Sequence, residues 1–294
     1  MALAFSKMHG LGNDFVIVDC RARAWPLDAV GMRAMGDRRR GVGFDQLLTI
    51  EVASDPSCAF AYRIWNRDGT PAGQCGNGLR CVARWLQREG SLASGTARLQ
   101  GPAGPVEVTL LESGEVRADM GEPRFQPADV PLRAAGVADA YPVALAATEP
   151  EAPARETQPM RLAVGAVSMG NPHAVLEVED VATAPVTVLG PRLERSPDFP
   201  EGCNVGFAAV ASRGRIGLRV WERGAGETPA CGSGAAAAVA VLRRRGALDR
   251  EVEVRLPGGS LRIDWPGPGH PLQMTGPASF VFEGRWPLPQ QGGG

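Results

Sequence analysis

The 294-residue sequence predicts an α/β (α+β) fold made of two pseudo-symmetric halves that arose by internal duplication. Length is the first reason, because a chain of this size exceeds what one hydrophobic core usually organises. Self-similarity is the second. Residues 62–90 laid over 218–246, a shift of 156 without a gap, match at Arg63/Arg219, Trp65/Trp221, Arg67/Arg223, Cys75/Cys231, Gly76/Gly232, Gly78/Gly234, Leu86/Leu242, Arg88/Arg244 and Gly90/Gly246. Composition alone would supply roughly two or three such matches. Nearly the same shift, 158, sets Gly12-Asn13 over Gly170-Asn171 and Gln46 over Asn204. The third reason is that each copy runs through the same periodicities in the same order: a strand, a turn, then a helix.

The runs AFAYRIW (59–65) and IGLRVW (216–221) alternate as strands do, and a turn containing Gly and Pro follows each. Past Cys75, the residues Leu79, Val82, Ala83 and Leu86 fall at i, i+3, i+4 and i+7, one stripe of a helix. Ala235, Ala238, Val239 and Leu242 repeat that stripe past Cys231. Gly90 and Gly246 stand where a left-handed C-terminal cap belongs. Alanine dominates the second helix, which suits close enclosure by a curved sheet. The Ala-, Pro- and Glu-rich stretch 143–160 reads as a surface connection inside the second half, and the closing PLPQQGGG as a disordered tail.

Hydrophobic residues make up 44% and charged residues 21%, with a formal net charge of -1. There is thus no basic excess to draw nucleic acid or an acidic membrane surface. The apolar start MALAF lacks a preceding basic region, and no run approaches the ~18 residues of a membrane span, so a cytoplasmic address is expected. The six cysteines show no CxxC pair and no disulfide-scaffold density, which argues against a metal site. Cys20, Cys58, Cys81 and Cys203 read as small apolar fillers. His9 and His270 read as structural or exposed, and Arg38, Arg39 and Arg40 as a solvated basic face.

Cys75 and Cys231 differ, since CGNG and CGSG place them immediately before helix N-termini. Glycine there lets a ligand approach the backbone, and the N–H groups of a first helical turn favour negative charge. The same field favours a thiolate. Two related halves facing each other would bring two thiols and two anion cradles to one ligand. That set suits an acid and a base on opposite faces of one carbon, hence inversion of an amino-acid stereocentre.

The motifs GNDF (12–15), GFDQ (43–46), N-x-DG (66–69), CGNGLRC (75–81), GNPH (170–173), ERGAGET (222–228) and ACGSG (230–234) follow one another from about Phe5 to Glu283. In this the chain resembles the diaminopimelate epimerases. It departs at Ala72-Gly73-Gln74, where that family usually carries an acidic residue and a methionine, which bears on packing around the thiol. The resemblance implies, in each half, a mixed sheet wrapped around a central helix. The halves it implies are 1–126, joined by a C-terminal strand at about 276–286, and 127–275, with 287–294 as the tail. It further implies a homodimer and a cofactor-independent epimerase that converts LL-2,6-diaminopimelate to the meso form, for lysine and peptidoglycan, by two-cysteine proton transfer. Cys75 and Cys231 match the catalytic pair, with His173 and Glu222 tuning or supporting them. Asn66, Asn171, Asn204 and Arg223 match positions that hold the distal amino acid, and Asn13, Gln46 and Glu222 those around the reacting amino group. Backbone N–H groups of Gly76, Asn77, Gly232 and Ser233 match the cradle of the reacting carboxylate.

Lys7 is the only lysine, so a pyridoxal phosphate Schiff base would have one candidate. The alternative reading is a proline or hydroxyproline racemase of similar architecture. Such an enzyme has no distal amino acid to hold, and the polar set would lack a purpose. A non-catalytic ligand-binding relative would not need both thiols.

Overall fold

The computed structural model describes residues 2–146 and 160–288. The chain divides into two compact units, Met1–Asp119 with Thr275–Gly294, and Met120–Met274. Its fold is mixed α/β, with many strands and four helices among the described residues.

In the first unit, β1 (Ala2–Gly10) and β2 (Asn13–Asp19) form an antiparallel hairpin. Leu11 at φ 55° and Gly12 at φ 86° make its turn left-handed at both positions, the geometry that matches the strands' own twist. Asp28 caps α1 (Ala29–Gly36), accepting the Gly31 N–H at 2.8 Å. β3 (Gln46–Glu51) runs parallel to β2, and β4 (Phe60–Asn66) returns antiparallel to β3. The short β5 (Pro71–Ala72) pairs with β4 and leads into α2 (Gly76–Arg88). β6 (Gly95–Gly101) then joins β4 in parallel, and β7 (Gly104–Leu110) and β8 (Val116–Asp119) follow as antiparallel neighbours.

In the second unit, β9 (Tyr141–Ala144) pairs antiparallel with β10 (Arg161–Ser168), and β10 with β11 (Pro172–Glu177). After α3 (Val186–Glu194), β12 (Asn204–Ser212) runs parallel to β11, and β13 (Arg215–Glu222) antiparallel to β12. β14 (Gly226–Thr228) pairs with β13 ahead of α4 (Gly232–Arg244). β15 (Glu251–Leu256) joins β13 in parallel, and β16 (Gly259–Asp264) pairs with β15. The strand directions thus follow the same order as in the first unit. β17 (Gln273–Gly276) and β18 (Ser279–Pro287) end the run of elements, and β18 lies antiparallel to β1 from Ala2↔Pro287 to His9↔Ser279.

Enclosure was expected for the alanine-rich helix and a single apolar stripe for the other. Both helices are in fact enclosed. α4 is buried at Gly232 and from Gly234 through Leu242, and α2 from Gly76 through Ala83 and again at Trp85 and Leu86. The reason is that α2 touches β1, β2, β3, β7 and β8 of its own unit, so it has no open face along its first two turns. Gly165 shows how close the sheet comes to α4: a Cβ there would lie 2.2 Å from Val241 Cγ1. Both helices end in the same hydrogen-bonded motif. Gly90 (φ 70°) and Ser91 donate to Gln87 and Leu86 carbonyls, and Gly246 (φ 77°) and Ala247 to those of Arg243 and Leu242. Truncating Leu86 or Leu242, each fully buried, would cost about 2–5 kcal/mol.

The connection expected at 143–160 begins in β9, and its residues 147–159 lie outside the described residues. Of the expected tail, Pro287 ends β18 and Leu288 packs on the core formed by Leu3, Phe5, Val16 and Met35, while 289–294 lie outside the described residues. Among the described residues, no helix is long and apolar enough to cross a membrane.

Candidate active site

Cys75 and Cys231 are each the N-cap of their helix. Both have extended backbones, φ −131° and −117°, and each sulfur accepts the N–H three residues on, Gly78 at 3.5 Å and Gly234 at 3.4 Å. A strand, a short antiparallel strand and a tight turn deliver each sulfur to a helix start, and the glycine three residues on sits close to the sheet: a Cβ at Gly78 would lie 3.3 Å from Leu48 Cδ2 and one at Gly234 3.0 Å from Val220 Cγ2.

In the first unit, Cys75 is half-buried and its Sγ lies 3.8 Å from Asn13 Oδ1. Asn77 Nδ2 donates to the same oxygen at 3.5 Å, and Asn13 Nδ2 donates to Asp45 Oδ2 at 3.0 Å. Gln46 and Asn66 are register partners of β3 and β4, with Gln46 Nε2 donating to Asn66 Oδ1 at 3.3 Å. Asn66 Nδ2 is held by Thr70 Oγ1 at 3.1 Å. Gly10 lets α2 come close: a Cβ there would lie 3.1 Å from Asn77 Cβ and 3.3 Å from Arg80 Nη2. The unusual Gln74 is accommodated by Tyr62, whose buried hydroxyl donates to Gln74 Oε1 at 3.0 Å.

Arg38, Arg39 and Arg40 are all exposed, as expected of a solvated basic face, but Arg38 also takes part in an ion-pair network. Arg38 forks onto both oxygens of Asp14 at 3.0 and 2.7 Å and reaches Asp45 at 2.6 Å. Lys7 also binds Asp14, at 2.5 Å, and donates to the Gly43 carbonyl. Burial opposes ionisation of Asp14, yet the hydrogen bonds from Arg38 and Lys7 outweigh it and hold this carboxyl well below the usual range.

In the second unit, His173 and Asn204 are register partners of β11 and β12. His173 Nε2 meets Asn171 Oδ1 at 2.9 Å, and Asn171 Nδ2 donates to Ser233 Oγ at 3.5 Å. Ser233 Oγ lies 3.5 Å from Cys231 Sγ. Asn204 bonds the Pro172 carbonyl at 3.3 Å and accepts the Arg223 N–H at 2.9 Å, while Arg223 is exposed and donates to the Glu201 carbonyl at 2.8 Å. Glu222 Oε1 accepts from Thr228 Oγ1 at 2.5 Å.

Electrostatics here run against the expected thiolate. Burial raises the Cys231 thiol well above its ordinary range, and the Glu222 carboxylate raises it further. The hydrogen bonds from Ser233 and Gly234 favour the thiolate but do not overcome those two. His173 is held down to about 3 by burial and then by the Arg223 charge, so it is neutral at working pH. A chain of polar contacts through Asn171 and Ser233 links it to the Cys231 sulfur. Cys20, Cys58, Cys81 and Cys203 are buried as expected of fillers, and burial pushes Cys81 and Cys203 up to about 12.

The structure therefore gathers Cys75, Asn13 and Asn77 in one cluster and Gln46 with Asn66 in a second, and Cys231, Ser233, Asn171, His173, Asn204, Glu222 and Arg223 into one neighbourhood of the other unit. Sequence reasoning missed Asp45, Arg38, Arg80 and Thr228. Asp14 and Asp45 stood inside the motifs GNDF and GFDQ, where a pair of acids near a run of arginines was the available signal. Among the described residues, no group of three or more His, Cys, Asp or Glu side chains gathers as metal ligands would.

A sequence profile for diaminopimelate epimerase matches residues 5–126 and 165–281. A diaminopimelate epimerase from Pseudomonas entomophila is 47% identical over 285 residues, covering 97% of this chain and 99% of that protein. The chain belongs to the diaminopimelate epimerase family. Another member, from Pseudomonas aeruginosa, is 46% identical over the same share of each chain. The fold reaches beyond the family. A hydroxyproline epimerase from Agrobacterium vitis, solved with bound trans-4-hydroxy-L-proline, superposes with a TM-score of 0.68 at 15% identity, covering 99% of this chain and 94% of that one. A probable proline racemase from Agrobacterium radiobacter gives 0.67 at 17% identity, covering 97% and 93%.

Proposed function

We propose that the protein interconverts LL- and meso-2,6-diaminopimelate without a cofactor, with Cys75 and Cys231 as its acid–base pair. The observation that carries this reading is that each unit of an epimerase-family chain ends a strand and turn on a cysteine that caps a buried helix. One thiolate takes the α-proton while the other thiol gives its own proton to the opposite face, so the carbon inverts and the pair of sulfurs exchanges protonation states. Cys231, buried beside Glu222, enters as the proton donor. The N–H groups of Gly76, Asn77, Gly232 and Ser233 hold the substrate carboxylate at the two helix starts, where charge grows as the carbanion forms. Asn13, Gln46 and Glu222 take the reacting ammonium. Asn66, Asn171, Asn204 and the forked guanidinium of Arg223 hold the distal amino acid, which a proline racemase would have no use for.

The sole lysine, Lys7, is buried in an ion pair with Asp14, which supports chemistry without a pyridoxal aldehyde. A cytoplasmic homodimer in lysine and peptidoglycan supply completes the reading. Turnover in heavy water tests it: deuterium from solvent should appear at the inverted carbon from the first turnovers, and Cys75→Ser and Cys231→Ser should each lose nearly all activity. Retention of substrate hydrogen in most early product, or near-normal turnover in either variant, would defeat the two-thiol assignment.

A further inference from the structure

Asn13 and Asn77 lie beside Cys75, and each is gripped at its far end by a group that permits one amide orientation only. A carboxylate can only accept hydrogen bonds, and a guanidinium can only donate them. Asp45 Oδ2, 3.0 Å from the Asn13 amide, therefore selects its NH2 end, and Arg80 Nη2, 2.8 Å from the Asn77 amide, selects its oxygen. The NH2 of Asn77 is then left facing Asn13, at 3.5 Å from Oδ1. Both grips agree: Asn13 must turn its oxygen toward Asn77 and toward the Cys75 sulfur.

Each grip is itself anchored. Arg38 Nη2 donates to Asp45 Oδ1 at 2.6 Å, and the Asp14 N–H donates to Asp45 Oδ2 at 3.1 Å. Arg80 is fully buried in α2 and donates through Nε to the Pro277 carbonyl at 3.2 Å and through Nη1 to that of Gly76 at 3.5 Å. A fully buried cation is costly and would be a poor choice for packing alone.

We propose that Asp45 and Arg80 are positioning residues: Asp45 directly, and Arg80 through Asn77, they lock Asn13 so that a carbonyl oxygen and not an NH2 group faces the Cys75 sulfur. This rests on the reading of Cys75 as one of the two proton-transfer groups. With the oxygen facing it, the sulfur in the ligand-free protein has an acceptor for its S–H. A flipped amide would instead donate to the thiolate. The same oxygen is what an incoming α-ammonium needs, so the lock offers one acceptor to the thiol when the site is empty and to the substrate when it is filled. Arg80 and Cys81 on the same helix and Tyr62 on β4 interact electrostatically with Cys75 within its unit. None of them is changed in the test below.

The readout is the pH dependence of iodoacetamide labelling of Cys75, which follows the thiolate, measured in full-length Cys231→Ser protein with the labelled peptide identified by mass spectrometry. The decisive pair is Asn77→Ala/Asp45→Ala against Asn77→Ala/Asp45→Asn. These have equal charge, but only the second keeps an acceptor for the Asn13 NH2. The pH midpoint of the first is expected about half to one unit below that of the second, the size of one hydrogen bond gained by the thiolate. With Asn77 intact, the Arg80 arm still holds Asn13, so Asp45→Ala and Asp45→Asn should coincide. Coincident midpoints in the Asn77→Ala pair would overturn the proposal, and a half-unit gap with Asn77 intact would remove Arg80 from it. Asp45 is partly exposed, so these substitutions spare the core, and equal urea midpoints confirm it. Labelling needs no turnover. Should Cys75→Ser retain epimerase activity, the two-thiol reading fails while the labelling result still decides whether Asn13 is locked.

Discussion

His173 makes the stability of this protein depend on pH between neutrality and pH 5, with a sign and size that follow from its burial. Its imidazole is held at about 3 instead of 6.5, first by desolvation and then by the Arg223 charge. In that window the unfolded chain binds a proton that the folded chain refuses. Stability contributed by neutral His173 is therefore complete above about pH 6.5 and declines as pH falls toward 3. The slope is about 1.4 kcal/mol per pH unit, so lowering the pH from 6.5 to 5 should remove about 2 kcal/mol. Carboxyls held low, such as Asp14 and Asp19, begin to contribute only below this window and do not mask it. His173→Gln keeps an amide that can reach Asn171 but cannot titrate. Urea unfolding of both proteins at several pH values from 7.5 to 5 should show the wild-type midpoint falling relative to the variant's. Parallel midpoints across that range would refute the argument, whatever the two absolute stabilities.

Two further outcomes are expected. Gly165→Ala drives a methyl into Val241, a stiff β-branched residue on α4, so about 1–3 kcal/mol should be lost and thermal unfolding should come several degrees earlier. Gly136→Ala, with open space around its Cβ, is the control, and equal unfolding temperatures would contradict the close approach of β10 to α4. Glu222→Gln, measured in Cys75→Ser protein, should move labelling of Cys231 by a small thiol reagent to lower pH, because a carboxylate that opposes the thiolate is gone. An unmoved profile would separate Glu222 from the thiol.

Much of this was legible before any coordinates, for reasons that differ by residue. The helix ends were readable because Gly90 and Gly246 must occupy left-handed backbone that other residues avoid. The placement of Cys75 and Cys231 at helix starts was readable because CGNG and CGSG each precede a helical stripe. The enclosure of α2 was hidden, since Arg80 and Trp85 break its apolar pattern and a buried arginine looks like a surface one until its partners are known. Arg38 was legible only in part: three consecutive arginines suggest solvent, where all three lie, but only the fold brings Asp14 and Asp45 within reach of the first. Side-chain partners across strands set these assignments, and strand register is not a property of local sequence.

The protonation of Cys231 shows why placing a thiol at a helix start is not sufficient to make it a base. A helix N-terminus favours a nearby anion by up to about 2 kcal/mol, or roughly one and a half pH units. Full burial can move an ionisable group by as much as about 3 to 5 units the other way. Burial is the larger effect at Cys231, and Glu222 adds to it, so the ligand-free protein keeps this thiol protonated in spite of Ser233 and Gly234. On the proposed reaction, the return direction requires the same sulfur to accept a proton, and the group that changes between the two situations is the substrate. Its α-ammonium, paired with Glu222, cancels the charge that opposed the thiolate and adds one that favours it. Glu222 raises proton affinity in the empty site, and on the proposed reaction it would cease to do so when the site is filled, which would confine a reactive thiolate to the time when there is a carbon for it to act on.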